Sequence, residues 1–400
     1  MPESQTNPWL HRFACLTALV TLVLIAIGGL VTSHEAGMAV PDWPNSYGYN
    51  MFLFPVSKWV GGILYEHSHR LVATVVGVLV VALTRWLGGA ASRFPLAIIG
   101  SLEFAAGLEL IRRVPELKSA GYFLNGIGIV VLLAAAVWVR NAPARRPLPV
   151  LGWTVFALVQ IQGLLGGLRV VLINDSIGIF HATLAQLFFV LLCAIAFISS
   201  SWWSAWRPSA ARTSPVLSTL VLSATFLIFA QLLLGATMRH QHAGLAIPDF
   251  PLAYGKLWPA MDSGAVQLYN QHRTETVGVH PITAFQIGLQ MAHRAMALAI
   301  LLAVWSVARL AARTPLSNWC FAWAGLISIQ ALLGAATIWS NKAADIATAH
   351  VLLGALSLAT GAILCILACQ NLTFARKTSD SPVPPHATFG ARTSTSGFKS

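Results

Sequence analysis

The chain has 400 residues, of which 56% are hydrophobic and 10% charged, with a mean hydropathy of +0.70. Too few polar groups exist to cover the surface of a soluble domain of this length, which predicts a membrane protein surrounded by a lipid bilayer. The net charge of +12 comes from basic residues at the ends of apolar runs rather than from one patch. This pattern excludes nucleic acid as a partner and carries topological information instead.

Eight apolar runs have the length of about 20 residues that a helix needs to cross a bilayer. They cover residues 13–33, 68–88, 150–170, 179–200, 216–238, 288–310, 318–338 and 345–368. With a cytoplasmic N-terminus, most basic residues between the runs fall on one side, as the positive-inside rule requires. Both termini are then cytoplasmic, the loops 34–66 and 239–287 lie outside, and a bacterial inner membrane is expected.

An internal repeat divides the chain. The segment AGMAVPDWPNSYG (36–48) returns as AGLAIPDFPLAYG (243–255), with eight of thirteen positions identical. Three further matches follow in the same order: His69-Arg70 with His293-Arg294, QGLLG (162–166) with QALLG (330–334), and His181 with His350. Parallel repeats of this kind imply a pseudo-two-fold axis along the membrane normal.

The predicted fold is therefore an all-α polytopic membrane protein made of two tandem pseudo-symmetric four-helix bundles. The first unit covers 13–200 and the second 216–370, giving eight core transmembrane helices. The first unit carries an insertion at 89–148, where two apolar segments predict an extra helical hairpin. Residues 371–400 are rich in Ser, Thr, Pro and Lys and predict a disordered cytoplasmic tail.

Four histidines carry the candidate chemistry: His69, His181, His293 and His350 each lie near the outer start of a predicted helix. Two histidines at one level on neighbouring helices can supply both axial nitrogens to a haem iron. The repeat pairs His69 with His181 and His293 with His350. A non-haem metal, or buried histidines with a purely structural role, are the alternatives.

The repeats differ at one acidic position. Glu66 precedes His69 by three residues and shares its helical face, whereas the second repeat has Gln290. A carboxylate beside only one pair of histidines predicts a working site in the first unit and a retained haem in the second. A Glu66 that only caps the helix or forms a salt bridge is the alternative. His67 is expected to point away from His69 and to be exposed.

Basic residues lie near the same helix ends. Arg70, Arg169, Arg239 and Arg294 are predicted partners for haem propionates, with lipid phosphates as the alternative. Five more histidines receive no role and are assigned to the outer loops: His34, His240, His242, His272 and His280.

With these motifs the chain resembles the heme A synthase family of cytochrome oxidase assembly. The resemblance rests on Glu66-His-Ser-His69-Arg70, the QGLLGG run before His181, the two PDxP loops, and His293-Arg294 with His350. It covers about 13–88 and 149–370. Two features depart from the family pattern: the first outer loop lacks the cysteine pair of many members, and the inserted hairpin has no counterpart.

The resemblance implies an oxidoreductase that converts the C8 methyl of heme O to a formyl group through a hydroxymethyl intermediate. His293 and His350 would bind a heme b, His69 and His181 would line the heme O/heme A site, and Glu66 would be catalytic. Heme O synthase and an unidentified electron donor are implied partners, and a homo-oligomer is left open. A bis-histidine dihaem electron-transfer cytochrome and a solute transporter with repeats are the competing hypotheses.

Overall fold

The computed structural model describes residues 7–139, 147–203, 214–276 and 281–379. Its helices, numbered in chain order, are α1 (Pro8–Ser33), α2 (Gly62–Arg113), α3 (Lys118–Ala136), α4 (Pro147–Val171), α5 (Asp175–Ile198), α6 (Pro215–His240), α7 (Ser263–Thr276), α8 (Ala284–Ala311), α9 (Ser317–Trp339) and α10 (Ala344–Ser379). Within the described ranges, nine helices are long and apolar enough to span a membrane, all but α7. The prediction of an all-α polytopic membrane protein is confirmed.

The helix ends follow from local sequence. Asn7 accepts hydrogen bonds from the amides of Trp9 and Leu10 at the start of α1, and Pro8 occupies a position where no amide is needed. Thr283 and Gln286 form a reciprocal capping box at the start of α8. These caps satisfy amides that would otherwise stay unpaired at a membrane surface.

The helices pack in two rings. In one ring α1 contacts α2 and α5, and α4 contacts the same two helices; in the other, α6, α8, α9 and α10 pack in the same cyclic order. The rings meet where α10 packs on α1 and α5, and where α5 packs on α6. We propose that these two rings are the units 13–200 and 216–370.

The inserted segment forms a hairpin of two helical segments. Helix α2 changes direction at Gly89, whose φ of 55° and ψ of −143° are not helical, and its second segment packs against α3. A Cβ at Gly100 or at Gly128 would meet the backbone of the opposite helix within 3 Å, so these glycines allow close packing. The hairpin packs on the first unit through Leu96, which joins Val81 of α2 and Phe156 of α4 in one apolar cluster.

Both long loops lie at one end of the helices, which we call the loop face. The hairpin reaches this face too, because the amide of Asn45 donates to Ser119 of α3 (2.8 Å). The first loop contains a two-stranded antiparallel ribbon, β1 (Asn45–Ser46) and β2 (Tyr49–Asn50). The second loop carries α7.

The predicted tail begins too early. Helix α10 continues to Ser379, so residues 371–379 are helical rather than disordered. An apolar helix that has already formed extends readily into a polar segment, because each added residue gains a backbone hydrogen bond without a new nucleation step. Residues 380–400 lie outside the described residues.

Candidate functional site

Each of the four predicted ligand histidines faces a glycine on the preceding helix of its ring. A Cβ added to the glycine would stand close to Cε1 of the imidazole, at 3.0 Å for Gly28 and His69, 3.5 Å for Gly166 and His181, 3.3 Å for Gly235 and His293, and 3.1 Å for Gly334 and His350. The four contacts occur at repeat-matched positions. The glycines are therefore needed to give the imidazoles room between the helices.

The imidazoles share one orientation. In each pair Cε1 is the imidazole atom nearest the added Cβ and Nδ1 is the next nearest, so the same edge of each ring faces the glycine helix. In His350, Nδ1 lies 3.1 Å from the carbonyl oxygen of Gln330. A histidine that ligates a metal through one nitrogen commonly donates the other N–H to a backbone carbonyl in this way.

The spacing of the first pair suits one iron between two rings. The centroids of His69 and His181 lie 6.5 Å apart, with the ring planes at 72°. Two imidazoles on one metal, each with a bond of about 2 Å, would have centroids roughly 6 Å apart. Nδ1 of both rings is buried, and His69 and His181 interact with the backbone of the preceding helix at Leu24 and Gln162, so ligation through Nε2 would leave the Nδ1–H directed at that backbone. The donor set therefore fits a haem.

In each pair, a glutamine of the preceding helix bonds to the backbone of one histidine. His293 and His350 lie close enough to interact electrostatically, and Gln231 donates from Nε2 to the carbonyl of His293 (2.9 Å), as Gln162 does to that of His181 (3.1 Å). Among the described residues, no three His, Cys, Asp or Glu side chains converge on a common point.

Glu66 and Arg70 form a buried ion pair beside His69, with 2.7 Å between Oε1 and Nη2. Glu66 also accepts from the amide of Val40 through Oε2 (2.8 Å). Arg70 donates to the carbonyls of Val40, Asp42 and Asn45, so both terminal nitrogens hold the first loop. The pair thus ties the loop to α2 directly above the first histidine pair.

Gln290 reproduces the loop contact of Glu66 without its charge. Its Oε1 accepts from the amide of Ile247 (2.7 Å), and its Nε2 donates back to the Ile247 carbonyl (3.2 Å). Arg294 donates to the carbonyls of Asp249 and Leu252, but among the described residues it forms no ion pair with a carboxylate. The two units share a loop anchor, therefore, and only the first places a carboxylate in it.

The aspartates of the two PDxP segments organise the loops identically. Asp42 accepts from the amides of Tyr47 and Gly48, and Asp249 accepts from those of Tyr254 and Gly255, all between 2.7 and 2.9 Å. Burial raises the pKa of Tyr254 to about 12, so its hydroxyl stays protonated and donates to the carbonyl of Ala246. The repeated motif is a loop-folding device rather than a ligand set.

The expectation that His67 is exposed is wrong. Its side chain is fully buried, with Nδ1 3.0 Å from Oγ of Ser46 and with the rings of Phe54 and Trp59 packed against it. Helical periodicity correctly turned it away from His69, but the first loop covers that side of α2. His240 was assigned to a loop and is instead the last residue of α6, while His280 lies outside the described residues.

Two of the glycine–histidine contacts, Gly28 with His69 and Gly235 with His293, are not predicted by the sequence analysis. Gly235 ends the run QLLLG (231–235), which matches the two QxLLG motifs and was a readable signal. Gly28 ends LIAIG (24–28), where the glutamine is absent and only alignment with the second unit identifies the position.

The glycine contacts lead to a direct test. Gly334→Val should push the His350 ring out of place, because the added methyl groups need space that the imidazole occupies. We expect haem affinity at the second pair to fall roughly tenfold or more, which corresponds to overpacking by about 1–3 kcal/mol. Haem-to-protein ratio and Soret absorbance measure this.

Gly325→Val is the matched control, since Gly325 lies on the same helix with nothing within 4 Å of an added Cβ. Equal haem loss in the two variants would contradict the packing role of Gly334.

The chain is similar in sequence to several known proteins. The chain is 26% identical over 353 residues to a protein of Shewanella oneidensis named Heme A synthase, covering 86% of this chain and 90% of that one. A Heme A synthase of Rhizorhabdus wittichii is 24% identical over 373 residues, covering 90% and 93%. A third, from Shouchella clausii, is 25% identical over 273 residues, covering 67% and 71%.

A match to a protein-family model confirms the family resemblance that the motifs indicated. The model of the cytochrome oxidase assembly protein family, COX15-CtaA, matches residues 122–362, more than half of the chain. The matched region contains three of the four paired histidines, His181, His293 and His350. The chain belongs to the COX15-CtaA family of cytochrome oxidase assembly proteins.

Proposed function

We propose that this protein is a heme A synthase, which oxidises the C8 methyl of heme O to a formyl group through a hydroxymethyl intermediate. The observation that carries the proposal is the unequal pair of histidine sites: both have the same glycine-backed rings, and only the first has a buried carboxylate. The relatives named Heme A synthase support the same reading. They do not favour an electron-transfer cytochrome.

The two sites would divide the work. His69 and His181 hold heme O as substrate and heme A as product, while His293 and His350 hold a resident heme b. When bound, the resident haem supplies an iron that can accept and pass on single electrons. The protein's part is to fix the ring orientation through the glycine contacts and to keep water from the histidines with the two folded loops.

Glu66 is the proposed catalytic group. It is buried, with Arg70 as a close positive partner at 2.7 Å and the amide of Val40 as a second donor. A carboxylate at this place can stabilise positive charge that develops on the reacting carbon, or accept the protons that oxidation releases. Gln290 can do neither, which agrees with a haem that is only retained.

The arginines have separate proposed roles. Arg70 and Arg294 donate their terminal nitrogens to loop carbonyls, so we assign them to bracing the loops rather than to direct propionate binding. Arg169 lies close enough to both His69 and His181 to interact with them, and Arg239 interacts with His350. Arg169 is the better partner for a propionate at the first site, and Arg239 stays the candidate at the second, with its Nη2 shared with Gly29 and Ser33 of α1.

The same proposal implies a membrane location and two partners. The protein would lie in a bacterial inner membrane with both termini in the cytoplasm, receive heme O from heme O synthase and exchange electrons with a further donor. The inserted hairpin covers the side of the first unit that faces away from the second. It contributes packing there and no histidine.

The function is tested by producing the full-length protein in a cell that makes heme O and no heme A. Extracted haems are separated by chromatography, and heme A is expected to appear only when the protein is present. A host that accumulates heme O and shows no heme A, with the protein folded in its membrane, would reject the proposal.

A further inference from the structure

The end of α6 reaches from the second unit into the first. Arg239 donates through Nη2 to the carbonyl of Gly29 (2.5 Å) and to Oγ of Ser33 (2.6 Å), both on α1. The next residue, His240, packs on α5 instead: its ring lies against Gly178, where an added Cβ would meet Cε1, Nδ1 and Nε2. Two adjacent side chains thus contact two helices of the first unit.

The contact of His240 lies beside the first histidine pair. Gly178 precedes His181 by three residues on α5, so the two positions are neighbours on one helical face. His240 is close enough to His181 to interact with it electrostatically. It lies on the side of His181 that faces the loop face, where the polar edge of a bound haem would point.

The repeat indicates that this arrangement is particular to the first site. The repeat-matched positions have Ser33 in place of His240 and Ala347 in place of Gly178. The large side chain of His240 is therefore matched with glycine at position 178, and the small side chain of Ser33 is matched with alanine at position 347. Because interiors are close-packed, an imidazole fits against α5 only when position 178 is glycine.

From these contacts we propose that His240, a residue of the second unit, belongs to the binding site of the first, where its imidazole N–H donates to a carboxylate of the haem substrate. The proposal rests on the proposed function, since it assumes a haem between His69 and His181. Arg169 would supply positive charge at the same site, because it interacts with both ligand histidines. The first site would thus be completed by the second unit.

The test compares heme O with heme O whose two carboxylates are methyl esters. Full-length protein with its second site filled is titrated with each ligand, and the low-spin Soret band is followed. In His240→Ala the affinity for heme O should fall about tenfold, the size of one charge-assisted hydrogen bond, while the affinity for the ester stays unchanged. Gly178→Ala should give the same selective loss by displacing the ring, and Gly163→Ala, with nothing near its added Cβ, should not.

Each outcome has a distinct meaning. Equal weakening of the acid and the ester in His240→Ala would show that His240 only packs the two units together, and would overturn the inference while leaving the synthase proposal intact. Wild-type protein that titrates like His69→Ala, with no haem taken up between His69 and His181, would overturn the proposed function and the inference with it.

Discussion

Glu66→Gln should retain both haems and lose conversion of heme O. The amide can keep the hydrogen bond to the loop, since Gln290 makes that contact at the equivalent position of the second unit. What it removes is the negative charge beside His69. We expect the rate of heme A formation to fall about 10²–10⁴-fold, the usual contribution of a positioned acid–base group. The measurement is heme A yield per haem-loaded protein.

Gln290→Glu is the matched control, because it alters the same loop anchor in the second unit and leaves Glu66 in place. The new carboxylate would stand beside Arg294 as Glu66 stands beside Arg70, so the added charge would have a positive partner. Heme A yield per folded protein should stay near the wild-type value. A normal rate in Glu66→Gln would remove Glu66 from the mechanism.

The second large effect is expected for His293→Ala, which should abolish the heme b spectrum. Loss of one of two axial nitrogens should cost more than the roughly 10–100-fold that loss of an outer-shell partner of a metal ligand costs. Absorption and electron paramagnetic resonance spectra of the purified protein report the low-spin iron. His69→Ala should leave the heme b signal in place, because it alters the other pair.

His272→Ala is the control for a histidine outside both pairs, since it lies on the exposed surface of α7. It should purify with the wild-type spectrum. An unchanged low-spin spectrum in His293→Ala would refute the assignment of His293 and His350 as one pair.

The helices and the pairing of histidines were readable from the sequence for two physical reasons. A bilayer requires runs of about 20 apolar residues, and soluble domains seldom contain runs of that length. The repeat then supplied long-range information, because the matched residues of the two copies take matched places. His69 with His181 was proposed in this way, and the structure brings their rings to 6.5 Å.

The roles of the polar side chains near the loop face could not be read in the same way. Arg70 looked like a propionate partner, but its donors are taken by three loop carbonyls and Glu66. His67 looked exposed, because a helical wheel gives direction and says nothing about a loop that folds over the helix. Contacts made by irregular backbone depend on tertiary structure and leave no periodic signal.

His240 shows the same limit between units. Its position in the chain suggests a loop residue, and only the packing of α6 on α5 brings it to Gly178. Once that contact is known, the sequence difference between the repeats, histidine with glycine against serine with alanine, becomes interpretable.

The central claim is that the protein has two unequal haem sites, a working one and a retaining one. The most direct test is the haem inventory of the full-length protein purified from cells that make heme O, before and after incubation with isotopically labelled heme O. We predict one equivalent of unlabelled heme b that does not exchange, together with heme O and heme A that acquire the label. Heme b alone, with no labelled haem bound, would contradict the account.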